Sequence, residues 1–143
     1  MKKALIAVCL LSLCLGFSAC GKAGTTDNVS IKYGASQRFN EDEIAAAGNT
    51  VIGAFKSYKD CDLLTLTYDE KYDDNMADGY MGAGNGAVNG VERENVIALY
   101  SDFTVGASGA DSGLNPNSTC TGWGWILIRD SETGDWVLDD WGY

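Results

Sequence analysis

The strongest periodic pattern in the chain is an apolar stripe at helical spacing within residues 39–59. Its members are Ile44, Ala47, Val51, Ile52 and Phe55. Asn40 precedes the stripe and Glu43 stands three residues after Asn40, which is the arrangement of a capping box. We therefore predict an amphipathic helix with one face on the core. Gly48 and Gly53 lie inside the pattern, and we expect one of them to mark a close approach between helix and sheet.

Four further segments have the composition of β-strands. Residues 63–68 and 95–105 are rich in leucine, β-branched and aromatic residues. Residues 123–129 and 136–143 flank a short polar turn, and together they predict a hairpin. Residues 70–81, in an acidic stretch before the second strand, are compatible with a helix.

The register of the hairpin sorts its side chains into two faces. If Arg129 faces Trp136, one face carries Trp123, Trp125, Leu127, Arg129, Trp136 and Leu138. The other face then carries Ile126, Ile128, Val137 and Trp141. In this register Trp141 lies opposite Gly124, where an aromatic ring can cover a glycine.

The N-terminus has the pattern of an export signal. Two lysines precede an apolar run over residues 4–15, which is too short to span a bilayer as a helix. Ser18 and Ala19 directly before Cys20 resemble the lipobox of bacterial lipoproteins. The resemblance implies that residues 1–19 are removed as a signal peptide and that Cys20 carries acyl chains such as palmitate. Such chains would hold the protein at the extracytoplasmic face of the cell membrane. The alternative is an ordinary secretory signal with an incidental cysteine.

The rest of the chain divides into a tether and one small domain. Residues 20–37 begin with the lipidated cysteine and are rich in Gly, Ser, Thr and Asn, the composition of a flexible tether. Residues 38–143 hold enough apolar residues for a single core and leave no room for a second.

Composition and charge exclude several classes of function. The whole chain has a formal net charge of -10, and removal of residues 1–19 leaves 8 basic residues against 20 acidic ones. A chain this acidic lacks the basic footprint that nucleic acids require, so we expect no nucleic-acid partner. The chain contains no histidine, which excludes Ser-His-Asp and Cys-His nucleophile pairs and imidazole metal sites. We expect no cofactor.

Two cysteines, Cys61 and Cys120, remain for the folded domain. In an exported protein an even pair permits a disulfide, which would contribute about 4 kcal/mol in the chain-entropy estimate. The alternative is two separate buried thiols, because free cysteine packs as a small hydrophobic residue. The sequence leaves both open.

Several of these segments together resemble a known family. They are residues 39–59, 63–68, 114–119 and the ending 123–143. The most specific part is Trp-Ile-Leu-Ile-Arg over residues 125–129 followed by Trp-Val-Leu-Asp-Asp-Trp-Gly-Tyr over residues 136–143. The chain is similar to a group of uncharacterised lipoproteins from Gram-positive bacteria that carry an NTF2-like (cystatin-like) domain of unknown function. The resemblance implies an α+β fold, a cone in which a curved antiparallel sheet packs on an N-terminal helix. It implies no catalytic residues, and the fold alone does not choose a function.

Acidic residues offer two weak metal sites. The first is a cluster in and before the helix-compatible segment, made of Asp69, Glu70, Asp73, Asp74 and Asp78. At helical spacing, Asp69 and Asp73 share a face, and oxygen ligands at this density could hold calcium. The second is Asp111 with the Asn and Ser residues around Pro116. The commoner explanations are a solvated acidic face and local turn hydrogen bonds, so we expect no metal at either place.

Asp139 and Asp140 are the candidate catalytic residues. They are adjacent on a predicted strand and are therefore expected to point to opposite faces. If one of them pointed into a cavity beside tryptophan or tyrosine, burial would raise its pKa and it could act as a general base. A hydrolase, isomerase or dehydratase that uses such an acid is the enzyme hypothesis.

Aromatic residues concentrate near the C-terminus and are the candidate ligand-binding residues. They are Trp123, Trp125, Trp136 and Trp141. A row of indoles can form a platform for a sugar or a peptide, but core packing explains tryptophans more often. The leading expectation is a non-enzymatic module that binds a small molecule or a protein partner. Catalysis and calcium-assisted binding are the alternatives.

Overall fold

The computed structural model describes residues 22–143, except for the side chain of Asp111. The predicted signal peptide and the lipidation site at Cys20 lie outside the described residues. The elements are β1 (Ser30–Tyr33), α1 (Glu41–Phe55), β2 (Cys61–Tyr68), α2 (Glu70–Ala83), α3 (Gly86–Asn89), β3 (Val96–Val105), β4 (Ser118–Ile128) and β5 (Val137–Gly142). Short 3-10 turns lie at Arg93–Asn95 and Gly109–Ser112. No helix among the described residues combines the length and apolar character needed to cross a membrane.

The strands form one five-stranded sheet in the order β1-β2-β3-β4-β5. Strands β2 to β5 are antiparallel to one another, whereas β1 runs parallel to β2. The α+β class is confirmed, but the prediction of a purely antiparallel sheet is wrong because of β1. A large hydrophobic core joins α1 to one face of the sheet, and a smaller cluster joins α2 to the opposite face.

Helix α1 begins and packs as its sequence predicts. The Asn40 side chain accepts the backbone N–H of Glu43 at 2.9 Å, and the Glu43 carboxylate accepts the backbone N–H of Asn40 at 2.8 Å. Gly48 lies so close to the Tyr33 hydroxyl of β1 that an added Cβ would overlap it. Gly48 is therefore the close approach that the sequence predicts, and Gly53 faces open space.

The segment predicted as a flexible tether is part of the fold from Lys22 onward. The backbone N–H of Asp60 donates to the carbonyl of Lys22 at 2.7 Å, and that of Gly24 donates to the carbonyl of Lys56 at 3.2 Å. Further along, β1 pairs with the second half of β2. The prediction of a tether over residues 20–37 is therefore wrong for residues 22–37. These residues are polar because β1 is a short, exposed edge strand whose stability comes from backbone hydrogen bonds.

The hairpin of β4 and β5 follows the predicted register only at its turn. Leu127 pairs with Leu138 as predicted, but Ile126 pairs with Asp140 and Trp125 pairs with Trp141. Asp139 is thus the extra residue of a β-bulge. The bulge moves the C-terminal half of β5 by one position, so Trp141 lies opposite Trp125 and not opposite Gly124.

Candidate functional site

An aromatic cleft lies where the end of α1 meets the sheet. Its volume is about 310 Å³. It is lined by Ala54, Ser57, Tyr58, Ser112, Gly113, Leu114, Trp123, Leu138 and Trp141. Three of these side chains are large aromatic rings, and none of the lining residues is charged. A cleft of this size lies at the lower end of the range for small-molecule pockets.

The β-bulge at Asp139 makes this cleft possible. Regular alternation would place Leu138 and Trp141 on opposite faces of β5. With the extra residue between them, both side chains line the cleft on the α1 side of the sheet. Trp141 is 55% exposed there, so its ring is available to a ligand.

Tyr58 and Trp123 form the inner wall of the cleft. Their ring centroids lie 6.4 Å apart, and Tyr58 also packs edge-on against Phe103 and Trp125. Burial raises the pKa of Tyr58 to about 12, so its hydroxyl stays protonated at neutral pH. The indole N–H of Trp123 is buried beside the Tyr58 hydroxyl, and this contact opposes part of the pKa rise of Tyr58.

The other two candidate tryptophans, Trp125 and Trp136, pack in the hydrophobic core. Trp125 is fully buried and its indole N–H donates to the Ser101 hydroxyl at 2.8 Å. Trp136 donates its indole N–H to the backbone carbonyl of Glu43 at 3.0 Å. The Arg129 guanidinium lies 4.4 Å from the Trp136 ring and forms an ion pair with Glu43 at 2.8 Å. Only Trp123 and Trp141 of the four therefore lie where a ligand could reach them.

Asp139 and Asp140 lie away from the aromatic cleft. The carboxylate of Asp139 accepts the Tyr80 hydroxyl at 2.6 Å and the Asn85 amide at 3.1 Å. Asp140 pairs with Ile126, whose side chain belongs to the α2 face. The bulge therefore places both carboxylates on the α2 side, and the expectation that they point to opposite faces is wrong. Neither is a buried acid in a cavity.

Asp73 is a fully buried carboxylate in the acidic cluster. One of its oxygens accepts the backbone N–H of Ala98 at 2.7 Å, and the other lies 3.2 Å from Arg38 and 3.7 Å from Arg93. Burial raises the pKa of Asp73 to about 6, against the opposing effects of Ala98 and the two guanidinium groups. The expectation of a solvated acidic face is wrong for this residue, because the arginines cover it.

Two other members of the acidic cluster, Asp69 and Glu70, have structural roles. Asp69 caps α2 by accepting the backbone N–H of Tyr72 at 3.0 Å, and Glu70 accepts the backbone N–H of Gln37 at 2.7 Å. Within the described side chains of residues 22–143, no group of three or more acidic or cysteine residues could hold a metal ion. The side chain of Asp111 is not among them.

Cys61 and Cys120 are both buried, free thiols. Cys61 begins β2 and Cys120 lies in β4, with β3 between the two strands. Two strand spacings separate backbones by about 9–10 Å, which exceeds the reach of about 7 Å for a disulfide. Burial raises the pKa of Cys61 to about 11. Of the two alternatives that the sequence leaves open, the structure has separate thiols.

A larger depression of about 820 Å³ lies at the other end of the sheet. It is wide, and its lining includes Glu92, Arg129, Asp130 and Asp135 beside the aliphatic residues Val91 and Val137. The guanidinium of Arg129 is already engaged by Glu43 and Asn95. This depression therefore offers a ligand an acidic lining and no free cation, whereas the aromatic cleft has an uncharged lining with three aromatic rings and is the better candidate for a neutral ligand.

Tyr58 and Leu138 are cleft residues that the sequence pattern does not identify as such. Tyr58 follows Phe55 by three positions, so extending the apolar stripe past the end of α1 would have found it. Leu138 was placed on the correct face, but the bulge that brings Trp141 beside it leaves no signal in the local sequence.

The chain was also compared with known proteins. No protein-family model, no curated protein and no solved structure matches it.

Proposed function

We propose that this protein is an extracytoplasmic lipoprotein, anchored through Cys20, whose domain binds a neutral small molecule in the aromatic cleft without catalysis. The observation that carries the binding proposal is the uncharged cleft of about 310 Å³ between Tyr58, Trp123 and Trp141. The lipobox-like sequence before Cys20 supports the anchor. On the same proposal, the chain belongs with the Gram-positive lipoproteins that it resembles.

The chemistry of the lining favours a ligand with one flat apolar face and at least one hydrogen-bond acceptor. Indole and phenol rings offer broad apolar area with a donor at the edge. The protonated hydroxyl of Tyr58 and the hydroxyl groups of Ser57 and Ser112 are such donors in the lining. A sugar ring and a hydroxylated aromatic ring both meet these requirements.

A binding role fits the cleft better than the enzyme alternative. General acid–base catalysis needs a titratable group within hydrogen-bond reach of the reacting atoms. The candidate acids Asp139 and Asp140 lie on the opposite side of the sheet. The cleft lining contributes only hydroxyl groups and two indole N–H groups as polar side-chain groups.

The NTF2-like cone is the fold that we propose for the domain. Four consecutive antiparallel strands with α1 across one face support it. The parallel strand β1 and the helix α2 on the second face are additions to that plan.

The binding proposal is tested by titration of the mature chain with two probes, the trimer of N-acetylglucosamine and 2-naphthol. The indole N–H resonances of the four tryptophans report the site in one NMR spectrum. We expect one probe to shift the resonances of Trp123 and Trp141, with a Kd of about 1 mM or tighter. If neither probe moves these two resonances at about 10 mM, the binding proposal fails.

A matched pair of variants locates the binding. Trp141→Ala removes the exposed ring of the cleft and should abolish the shift at Trp123. Val137→Ala changes a residue of the same strand that is 59% exposed and pairs with Ile128 of the α2 face. It should bind like the wild type. Equal loss of binding in both variants would place the ligand elsewhere.

A further inference from the structure

The described chain is fixed to the domain only two positions after the predicted lipidation site. Lys22 is held by Asp60 and Gly24 by Lys56 through backbone hydrogen bonds. Two residues span at most about 7 Å of extended chain. We call this part of the molecule the proximal end (residues 22–25 and 56–60). If Cys20 is acylated, the proximal end cannot move away from the bilayer surface.

The proximal end carries three of the five lysines in residues 22–143. Three exposed lysines lie there, namely Lys22, Lys56 and Lys59. In residues 22–143 every arginine forms an ion pair with an acidic side chain, whereas no lysine does. The lysines at this end are therefore free to meet lipid phosphates, within the ionic screening length of about 8 Å at physiological salt.

Two acids in or next to the proximal end, Asp60 and the exposed Asp62, form hydrogen bonds within the protein. The carboxylate of Asp60 accepts the backbone N–H of Ser108 at 3.0 Å and its hydroxyl at 2.8 Å. Asp62, which follows in β2, accepts the Thr25 hydroxyl. These hydrogen bonds hold the carboxylates in place, while the three lysine side chains can extend into solvent.

The opposite end of the sheet, where β2 ends and β5 begins, is rich in acids. The first turns of α1 and α2 are acidic, and the turn between β4 and β5 adds Asp130, Glu132 and Asp135. An anionic membrane surface repels this end and attracts the lysines. The charge distribution and the short link between Cys20 and Lys22 therefore favour the same orientation, in which the proximal end faces the membrane.

A row of aromatic side chains extends from Tyr58 of the proximal end through Trp123 to Tyr143. Tyr143 is 83% exposed and packs edge-on against Trp123, with ring centroids 5.1 Å apart. Tyrosine and tryptophan prefer the headgroup level of a bilayer, where one end of the ring is apolar and the other is hydrated. Ser57 and Tyr58 of the aromatic cleft lie in the chain between Lys56 and Lys59.

We propose that the proximal end rests on anionic phospholipid headgroups through Lys22, Lys56 and Lys59, so that the aromatic cleft opens beside the bilayer surface. This inference rests on the proposed acylation of Cys20. It adds an orientation and a lipid-binding surface to the anchor, and it implies that the cleft takes its ligand from the layer next to the membrane.

The test compares lysines within one molecule. The full acylated chain is reconstituted in vesicles of phosphatidylcholine with about a quarter phosphatidylglycerol and treated with a membrane-impermeant acetylating reagent. Mass spectrometry then gives the modification rate of each lysine. We expect Lys22, Lys56 and Lys59 to react about fivefold more slowly than in neutral phosphatidylcholine vesicles. Lys32 and Lys71, at the opposite end of the sheet, should react equally in both.

Matched double variants distinguish contact with lipid headgroups from general shielding of Lys22 by the vesicle surface. K56Q/K59Q should restore the reactivity of Lys22 on anionic vesicles, whereas K32Q/K71Q should leave Lys22 protected. Salt at about 0.5 M should also remove the protection. If all five lysines react alike on anionic vesicles while the mass of the N-terminal peptide shows acylated Cys20, the orientation is wrong and the lipoprotein proposal stands. An unacylated Cys20 would overturn both.

Discussion

Replacement of Asp73 by asparagine tests which force governs the buried carboxylate. Asparagine has the same shape and keeps an acceptor for the backbone N–H of Ala98, but it cannot ionise. In the wild type, burial opposes the charged form, whereas Arg38 and Arg93 favour it. The structure gives the advantage to burial, because the pKa of Asp73 is raised from 3.8 to about 6.

The sign and size of the pH dependence follow from this shift. The folded protein binds the proton more tightly than the unfolded chain does, so the stability contributed by the protonated carboxyl is fully present below pH 3.8. It is lost as the pH rises through about 6. The whole effect amounts to about 3 kcal/mol in the free energy of unfolding. Most of it, about 2 kcal/mol, falls between about pH 4 and about pH 7.

The assay is urea denaturation of the wild type and Asp73→Asn across that pH range. We expect the free energy of unfolding of the wild type, relative to the variant, to fall by about 2 kcal/mol as the pH rises. Glu70→Gln is a control of opposite sign, because the backbone N–H of Gln37 and the Ser36 hydroxyl lower the pKa of Glu70. A flat difference for Asp73→Asn, or one that rises with pH, would show that the guanidinium groups outweigh burial.

Two further predictions concern stability and use the same denaturation assay. Gly53→Ala places a methyl group in open space and should stabilise α1 by up to about 1 kcal/mol, whereas Gly48→Ala should destabilise the domain because its methyl group displaces Tyr33. The reverse order would contradict the close contact of α1 with β1. Ser101→Ala leaves the indole N–H of Trp125 buried without an acceptor and should cost about 1–3 kcal/mol. An unchanged stability would mean that another acceptor replaces the hydroxyl.

Local sequence signals were sufficient for α1 and for the turn of the final hairpin. The capping box around Asn40 and the apolar stripe lie within one stretch of chain, and the structure confirms both. The hairpin pairs residues that are close in sequence, so its first pairs are also correct. The helix-compatible segment likewise corresponds to α2 (Glu70–Ala83).

Features that depend on distant partners could not be predicted. Strand β1 has only four residues, and its partner β2 lies beyond α1 in the chain. The environment of Asp73 is set by Arg38, 35 residues earlier, and by Arg93. The bulge in β5 coincides with the hydrogen bonds that Tyr80 and Asn85 make to Asp139. The aromatic cleft depends on that bulge. Its tryptophans could therefore be identified from the sequence, but their arrangement could not.

The bulge at Asp139 also affects the self-association of this protein. Among residues 22–143, strand β5 is an edge of the sheet, and a regular edge is a template on which another chain can add a strand. A bulge interrupts the row of backbone donors and acceptors and increases the local twist. Asp139 and Asp140 add negative charge at the same place. The irregularity that builds the cleft therefore also hinders aggregation through this edge, and a variant that restores regular pairing would risk self-association.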